Sequence, residues 1–276
     1  MPSRLKVVLM TNGGIGLEVA ERLAELDEVE ALTVVTTNVT NRRRRKLDKA
    51  RIIFRHEGPR GLARALGDRW HRRVSPERLA ERFRARCPGA TLFHCPDLHA
   101  PESLARLRAL GADLGVVVAA YKLEPSVFTI PRLGCLNLHF GRAPEFRGSS
   151  PGFYELLEGV PEVGVTVHRV SAALDGGAIL AQETFPLDIA PPEDPVAYLL
   201  WYQRAILVPN GARMMASVVA GLAHGPLPER AQDESRARTR RRATWRLKRE
   251  LRQVVRARRR PLEAAPTWLT SRPTAP

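Results

Sequence analysis

The 276-residue chain is poor in cysteine, aromatic residues and acidic charge. It has three cysteines, Cys87, Cys95 and Cys135, an odd and sparse set that argues against a disulfide framework and fits a reducing compartment. Aromatic residues make up 6% of the chain, and its basic stretches hold few, among them Trp70 and Trp245, so an interleaved base-stacking surface is missing and nucleic acid is an unsupported partner. No apolar run approaches the roughly 18 residues needed to cross a bilayer. The nearest, Ala205 to Ala223, is interrupted by Pro209, Asn210 and Arg213. Met1-Pro2-Ser3-Arg4 leads into no long apolar stretch followed by a small-residue cleavage site, so a cytoplasmic location is expected.

Acidic residues number 29 against 44 Lys and Arg, a net charge of +15. From Glu229 to Pro276 there are fifteen basic and five acidic residues, which leaves +5 for residues 1–228. A second basic stretch opens at Asn41-Arg42-Arg43-Arg44-Arg45-Lys46 and continues to Arg86. Such runs are either solvated faces or attraction for phosphate, an anionic acceptor, a peripheral anionic surface or nucleic acid. With 44% hydrophobic residues, the remainder is sufficient for a folded core. The expected organisation is one domain over 1–228 with a basic helical insertion at about 41–86, then a basic tail over 229–276, partly helical or disordered.

Leu5 to Met10 is a continuous apolar run, and Thr11-Asn12-Gly13-Gly14-Ile15-Gly16 turns it into a helical pattern at Leu17, Ala20, Leu23 and Leu26. Val29 to Thr36 reads as a second strand, and strand, helix, strand favours a parallel sheet. The insertion reads as helices broken at Gly58-Pro59 and Ser75-Pro76, with Ser75 an N-cap. Ala90 to Cys95 is a strand, and Pro101 opens a helix to Leu110. Asp113 to Ala120 is apolar without alternation, as a strand covered on both faces requires. Gly134 to His139 is another strand, a helix runs from Ser150-Pro151 to Glu158, and Val163 to Val170 and Gly177 to Pro186 are two late strands. Glu193 to Gly221 is a long helical pattern interrupted around Pro209. The fold class is α/β.

Asn137 and His139 break an apolar strand two residues apart, so they share one face. An amide and an imidazole on one face can contact a carbonyl oxygen that becomes negative, while Asp175, from Leu174-Asp175-Gly176-Gly177, can orient the imidazole or accept a proton. The Asn12-Gly13-Gly14 turn precedes a helix, where free N–H groups favour an anion. Cys87, His94, Cys95 and His99 lie close in sequence but match no metal-ligand spacing, so no metal is expected.

Pro131 to His139, then Pro144, Phe146-Arg147-Gly148, Gly164 to His168 and Leu174 to Gln182 together resemble the folate-dependent formyltransferase family. The resemblance implies a Rossmann-like formyltransferase fold, with a mostly parallel central sheet, flanking helices and late antiparallel strands. It implies N10-formyltetrahydrofolate as donor and places Asn137, His139 and Asp175 in the catalytic positions, with Thr166 supporting them and His139 protonated. By the same resemblance Ala120, Tyr121, Lys122, Leu174, Gly176 and Gly177 line the pterin pocket, and Asn12, Gly13, Gly14 and Arg147 meet the acceptor. His139-Phe140-Gly141-Arg142-Ala143-Pro144 departs from the family's His-Pro-Ser-Leu-Leu-Pro. The expected acceptor is the amine of a small, anionic amino sugar, nucleotide sugar or specialised metabolite. Alternatives are a glycinamide ribonucleotide formyltransferase-like enzyme, a hydrolase of the formyl donor, and a binding protein of this fold that docks on nucleic acid or an anionic membrane. Neither segment predicts an oligomeric state.

Overall fold

The computed structural model describes residues 4–37, 46–67 and 76–259. The basic cluster from Asn41 to Arg45, Trp70, the Ser75 cap and the chain after Arg259 lie outside the described residues. In order, the elements are β1 (Leu5–Thr11), α1 (Ile15–Ala24), β2 (Val29–Thr37), α2 (Lys46–Gly67), α3 (Pro76–Arg86), β3 (Thr91–Cys95), α4 (Pro101–Ala109), β4 (Leu114–Val118) and α5 (Pro125–Phe128). They continue with β5 (Cys135–His139), β6 (Arg147–Gly148), α6 (Phe153–Glu158), β7 (Glu162–Arg169), β8 (Ile179–Pro186), α7 (Pro195–Tyr202), α8 (Val208–His224), β9 (Thr239–Arg240) and α9 (Trp245–Arg259). A seven-stranded sheet has the order β3-β2-β1-β4-β5-β7-β8. The first five strands are parallel, while β7 runs antiparallel to β5 and β8 antiparallel to β7.

Unalternated apolarity along β1 and β4 is satisfied by two cores. Leu5, Val7 and Leu9 join Leu114, Val116, Val118, Leu136 and Leu138 on one face. Val8, Met10, Val35, Val117 and Cys135 enter a second core on the other. The period of two in a strand thus assigns alternate residues to opposite layers. α1 and α8 pack against each other over the first core.

Local chemistry sets the element ends. α6 begins at Phe153 rather than at Ser150 because Ser150 and Gly152 both have left-handed φ, 73° and 72°. α2 is broken at Gly58, φ 72°, before Pro59. The helical stretch from Pro195 to His224 continues through Pro209 by widening into a π-helical turn at Gln203–Leu207. Proline has no N–H for the preceding turn, and the Asn210 Nδ2 beside it donates to the Ile206 carbonyl (2.8 Å). This stretch is long and apolar enough to cross a membrane by length and composition. Here Tyr202, Leu207, Met214, Met215 and Val219 are buried in the core.

The segment read from sequence as a basic tail is integrated with the sheet as far as Arg259. Arg230 bridges Ile179 of β8, β9 pairs in parallel with β6, and α9 buries Leu251 and Val255 completely. Those two residues are four apart, on one face of a helix whose other faces carry arginine.

Candidate active site

β5 alternates into the second core at Cys135, so Asn137 and His139 follow on that same face. Val118 of β4 pairs with Leu138, and across the antiparallel side Asn137 pairs with His168 and His139 with Thr166. This register brings His168, the next-to-last residue of β7, against Asn137. Asp175 arrives from the β7–β8 connection on a left-handed backbone, φ 49°, a conformation that Asp tolerates better than most residues.

The hydrogen bonds fix the roles of these polar atoms. Asn137 Nδ2 donates to His168 Nε2 (3.1 Å) and to Asp175 Oδ1 (3.2 Å). The amide orientation follows from Asp175, because the opposite one would place the amide oxygen against a carboxylate. His168 Nδ1 donates to the Arg169 carbonyl (2.7 Å), which leaves Nε2 as the acceptor that Asn137 uses. His139 Nε2 donates to the Phe146 carbonyl (2.7 Å), and its Nδ1 lies 3.6 Å from Asp175 Oδ2. The peptide N–H of Gly148 donates to that same Oδ2 (2.9 Å).

Burial pushes His139 below its ordinary value and outweighs the attraction of Asp175. The resting imidazole is therefore neutral at neutral pH, with its proton on Nε2 and a lone pair on Nδ1; this corrects the expectation of a protonated His139. Burial also acts on Asp175, in the upward direction. The His168 contact, the field of His139 and the Gly148 N–H overcome it and hold the carboxyl at about 2. Gly141 permits the packing around the imidazole: a Cβ there would stand 2.5 Å from His139 Nε2 and 2.3 Å from the Phe146 oxygen. Thr166 supports that turn, donating to the Gly141 carbonyl (2.7 Å) and accepting from Ala143 N (3.3 Å) and Gln182 Nε2 (3.0 Å).

Asn137, His139, His168 and Asp175 line a cavity of about 440 Å³, within the usual range for small-molecule sites. Ala120, Tyr121, Lys122 and Leu174 line it as well. Gly176 and Gly177, expected on the pterin pocket, are not part of its lining, and Gly177 is packed on the Arg169 backbone. Asn12, Gly13 and Gly14 stop short of the cavity lining, which the next residue, Ile15, reaches. Arg147 is not an acceptor contact in this structure. It is 4% exposed, and its guanidinium is held by Gln232 and, through two bonds, by Glu234 (2.9 and 2.6 Å). Gln203, from the π-helical turn, and Ser149-Ser150-Pro151 line the cavity without having been singled out in the sequence. The three non-glycine residues with left-handed φ among the described residues, Ala119, Ser150 and Asp175, all lie on its wall, the kind of backbone strain that clusters at functional sites. Among the described residues no group of three His, Cys, Asp or Glu could hold a metal. His94 bonds Thr36 (3.0 Å), and His99 accepts from the Glu124 N–H (3.0 Å).

Residues 22–198 match the family model described as formyl transferase. The methionyl-tRNA formyltransferase of Acidothermus cellulolyticus is 36% identical over 182 residues, 66% of this chain and 51% of its own. That of Synechococcus sp. is 38% identical over 138 residues, 50% of this chain and 41% of its own. The chain spans about half the length of the curated relatives it matches. Glycinamide ribonucleotide transformylase 1 from Symbiobacterium toebii superposes with a TM-score of 0.54 at 20% identity, covering 83% of this chain and 94% of that one. A sugar N-formyltransferase from Shewanella gives 0.55 at 14%, covering 86% and 76%. At these identities the structural likeness is one of fold.

Proposed function

The chain belongs to the formyl transferase family, and from that premise we propose that it transfers a formyl group from N10-formyltetrahydrofolate to the primary amine of a small anionic acceptor. The observation that carries this reading is the convergence of Asn137, His139 and Asp175 on one cavity. Residues 119–123 lie between β4 and α5, outside the sheet ladder, so their backbone groups can meet the polar edge of a pterin. Val117, Val170 and Leu174 supply apolar surface for its ring. These residues would hold the folate, which supplies the formyl group.

The chain's own part is charge placement and proton handling. Attack by a neutral amine forms one C–N bond to the formyl carbon and places negative charge on its oxygen. The Asn137 amide serves that oxygen by giving up one of its two resting bonds, to His168 Nε2 or to Asp175 Oδ1. Neutral His139 offers the Nδ1 lone pair to the proton the amine must lose. A proton received there stands beside Asp175 Oδ2 as an imidazolium–carboxylate pair, from which it passes to the departing nitrogen as the old C–N bond breaks. Asp175, ionised at rest, stabilises that intermediate charge without needing to be protonated first.

The test is amine-dependent release of tetrahydrofolate with a panel of nucleotide amino sugars, glycinamide ribonucleotide and methionyl-tRNA. His139→Ala and Asp175→Asn are expected to lower kcat roughly 10²- to 10⁴-fold, the usual contribution of acid–base groups. Unchanged turnover in both would refute the site assignment. The similarity to methionyl-tRNA formyltransferases favours a second reading, in which a charged tRNA is the acceptor and the net +15 attracts its phosphates. Formylation of methionyl-tRNA without formylation of the small amines would select it. Donor release without any amine would instead favour hydrolysis.

A further inference from the structure

Asp175 occupies a left-handed backbone, a conformation that its surroundings help to hold. The surroundings here come from a distant part of the chain. Gln232 Nε2 donates to the carbonyl oxygens of Asp175 (2.8 Å) and Gly177 (2.7 Å). Its Oε1 accepts from Arg147 Nε (3.0 Å) and Nη2 (2.7 Å). Both donors and both lone pairs of this one amide are engaged. Reversing it would put NH₂ against a guanidinium and oxygen against two carbonyls, so its orientation is fixed. Glu234 locks Arg147 with a bidentate pair, and the residue after Arg147 gives its N–H to Asp175 Oδ2. Backbone and carboxylate of Asp175 are thus tied to the same dipeptide, one through Gln232 and the other directly.

We propose that Gln232 is a positioning residue for Asp175, which sets the place of its carboxylate through the 175–177 backbone and is itself set by Arg147 and Glu234. Gln232 and Glu234 lie outside residues 22–198, the part of the chain that matches the family. The role rests on the reading of Asp175 as a participant in formyl transfer, and the experiment separates the two.

Gln232→Glu keeps size and the Arg147 contact but replaces both donors with a carboxylate facing two carbonyls. Gln232→Met keeps volume and adds no charge. Circular dichroism establishes folding, and carbon-13 NMR of labelled Asp follows the Asp175 carboxyl in unliganded protein. The groups that face this carboxyl are His139, His168, Asn137 and the Gly148 N–H, and a displaced loop weakens their hold on it. Its titration midpoint is therefore expected to move upward in both variants, and kcat to fall roughly 10- to 100-fold, as for a misplacement of about 1 Å, with little change in the amine KM. In an Asp175→Asn background, Gln232→Glu is expected to add no further loss. An unmoved Asp175 titration, or an equal loss in that background, overturns the proposal. Should Asp175→Asn alone leave turnover intact, Asp175 takes no part in transfer, while the titration still decides whether Gln232 positions the carboxylate.

Discussion

Glu155 and Asp175 are both largely buried carboxyls, and their environments move them in opposite directions. Asp175 is surrounded by donors and held at about 2, whereas burial pushes Glu155 up to about 7. Arg142 and Arg240, the cations near Glu155, are engaged by Glu162 and Glu158, and Glu155 Oε1 has no hydrogen-bond partner among the described residues. A carboxyl raised in this way favours the folded state below its unfolded value of 4.5, and the benefit is lost as pH rises through about 7. Glu155→Gln should therefore stabilise the protein by up to about 3 kcal/mol at pH 8 and by little at pH 4.5. Urea unfolding of both proteins at the two pH values measures this, and equal gains at both would contradict the shift. At this scale Asn137 and His139 are legible in the sequence, because polar residues in an apolar strand stand out. The role of His168 depends on strand register, and that of Arg147 on Glu234, which lies 87 residues away; a one-dimensional reading resolves neither.

At the scale of elements, α9 shows how composition can conceal periodicity. Leu247, Leu251 and Val255 recur every four residues, but abundant arginine makes the segment look like a solvated tail. Even its charges are used in the fold: Arg258 donates to the Leu156 and Leu157 carbonyls at the end of α6 (2.5 and 2.9 Å). Arg252 pairs with Asp194 (2.5 Å), the N-cap of α7. Burying a Leu and a Val contributes roughly 1.5–3 kcal/mol each, a large part of a typical stability of about 5–15 kcal/mol. A chain ending at Pro228 should accordingly lose cooperative thermal unfolding by circular dichroism; retention of a wild-type transition would show that α9 is dispensable. Most strands and helices up to β8 are legible from an apolar run or a dominant periodicity, whereas the four-residue α5 is too short to show one. The two-residue strands β6 and β9 carry too little pattern to be read before their pairing is seen.

Across the whole molecule, the parallel half of the sheet follows from its buried apolar runs, while the placement of the last two strands and the C-terminal segment is settled by long-range pairing. Arg142, Arg147, Arg240 and Arg252 each pair with a carboxylate, pairs that carry no net charge, so the +15 resides in the other cations. One cavity is lined by Ala120-Tyr121-Lys122, Ser149-Ser150-Pro151 and Asn137, His139 and Asp175 together. Under the proposed function donor and acceptor occupy it at the same time, and the formyl group passes directly from one to the other. Initial-rate plots at several fixed acceptor concentrations should intersect rather than run parallel, and labelled tetrahydrofolate should not exchange into the donor pool until an amine is added.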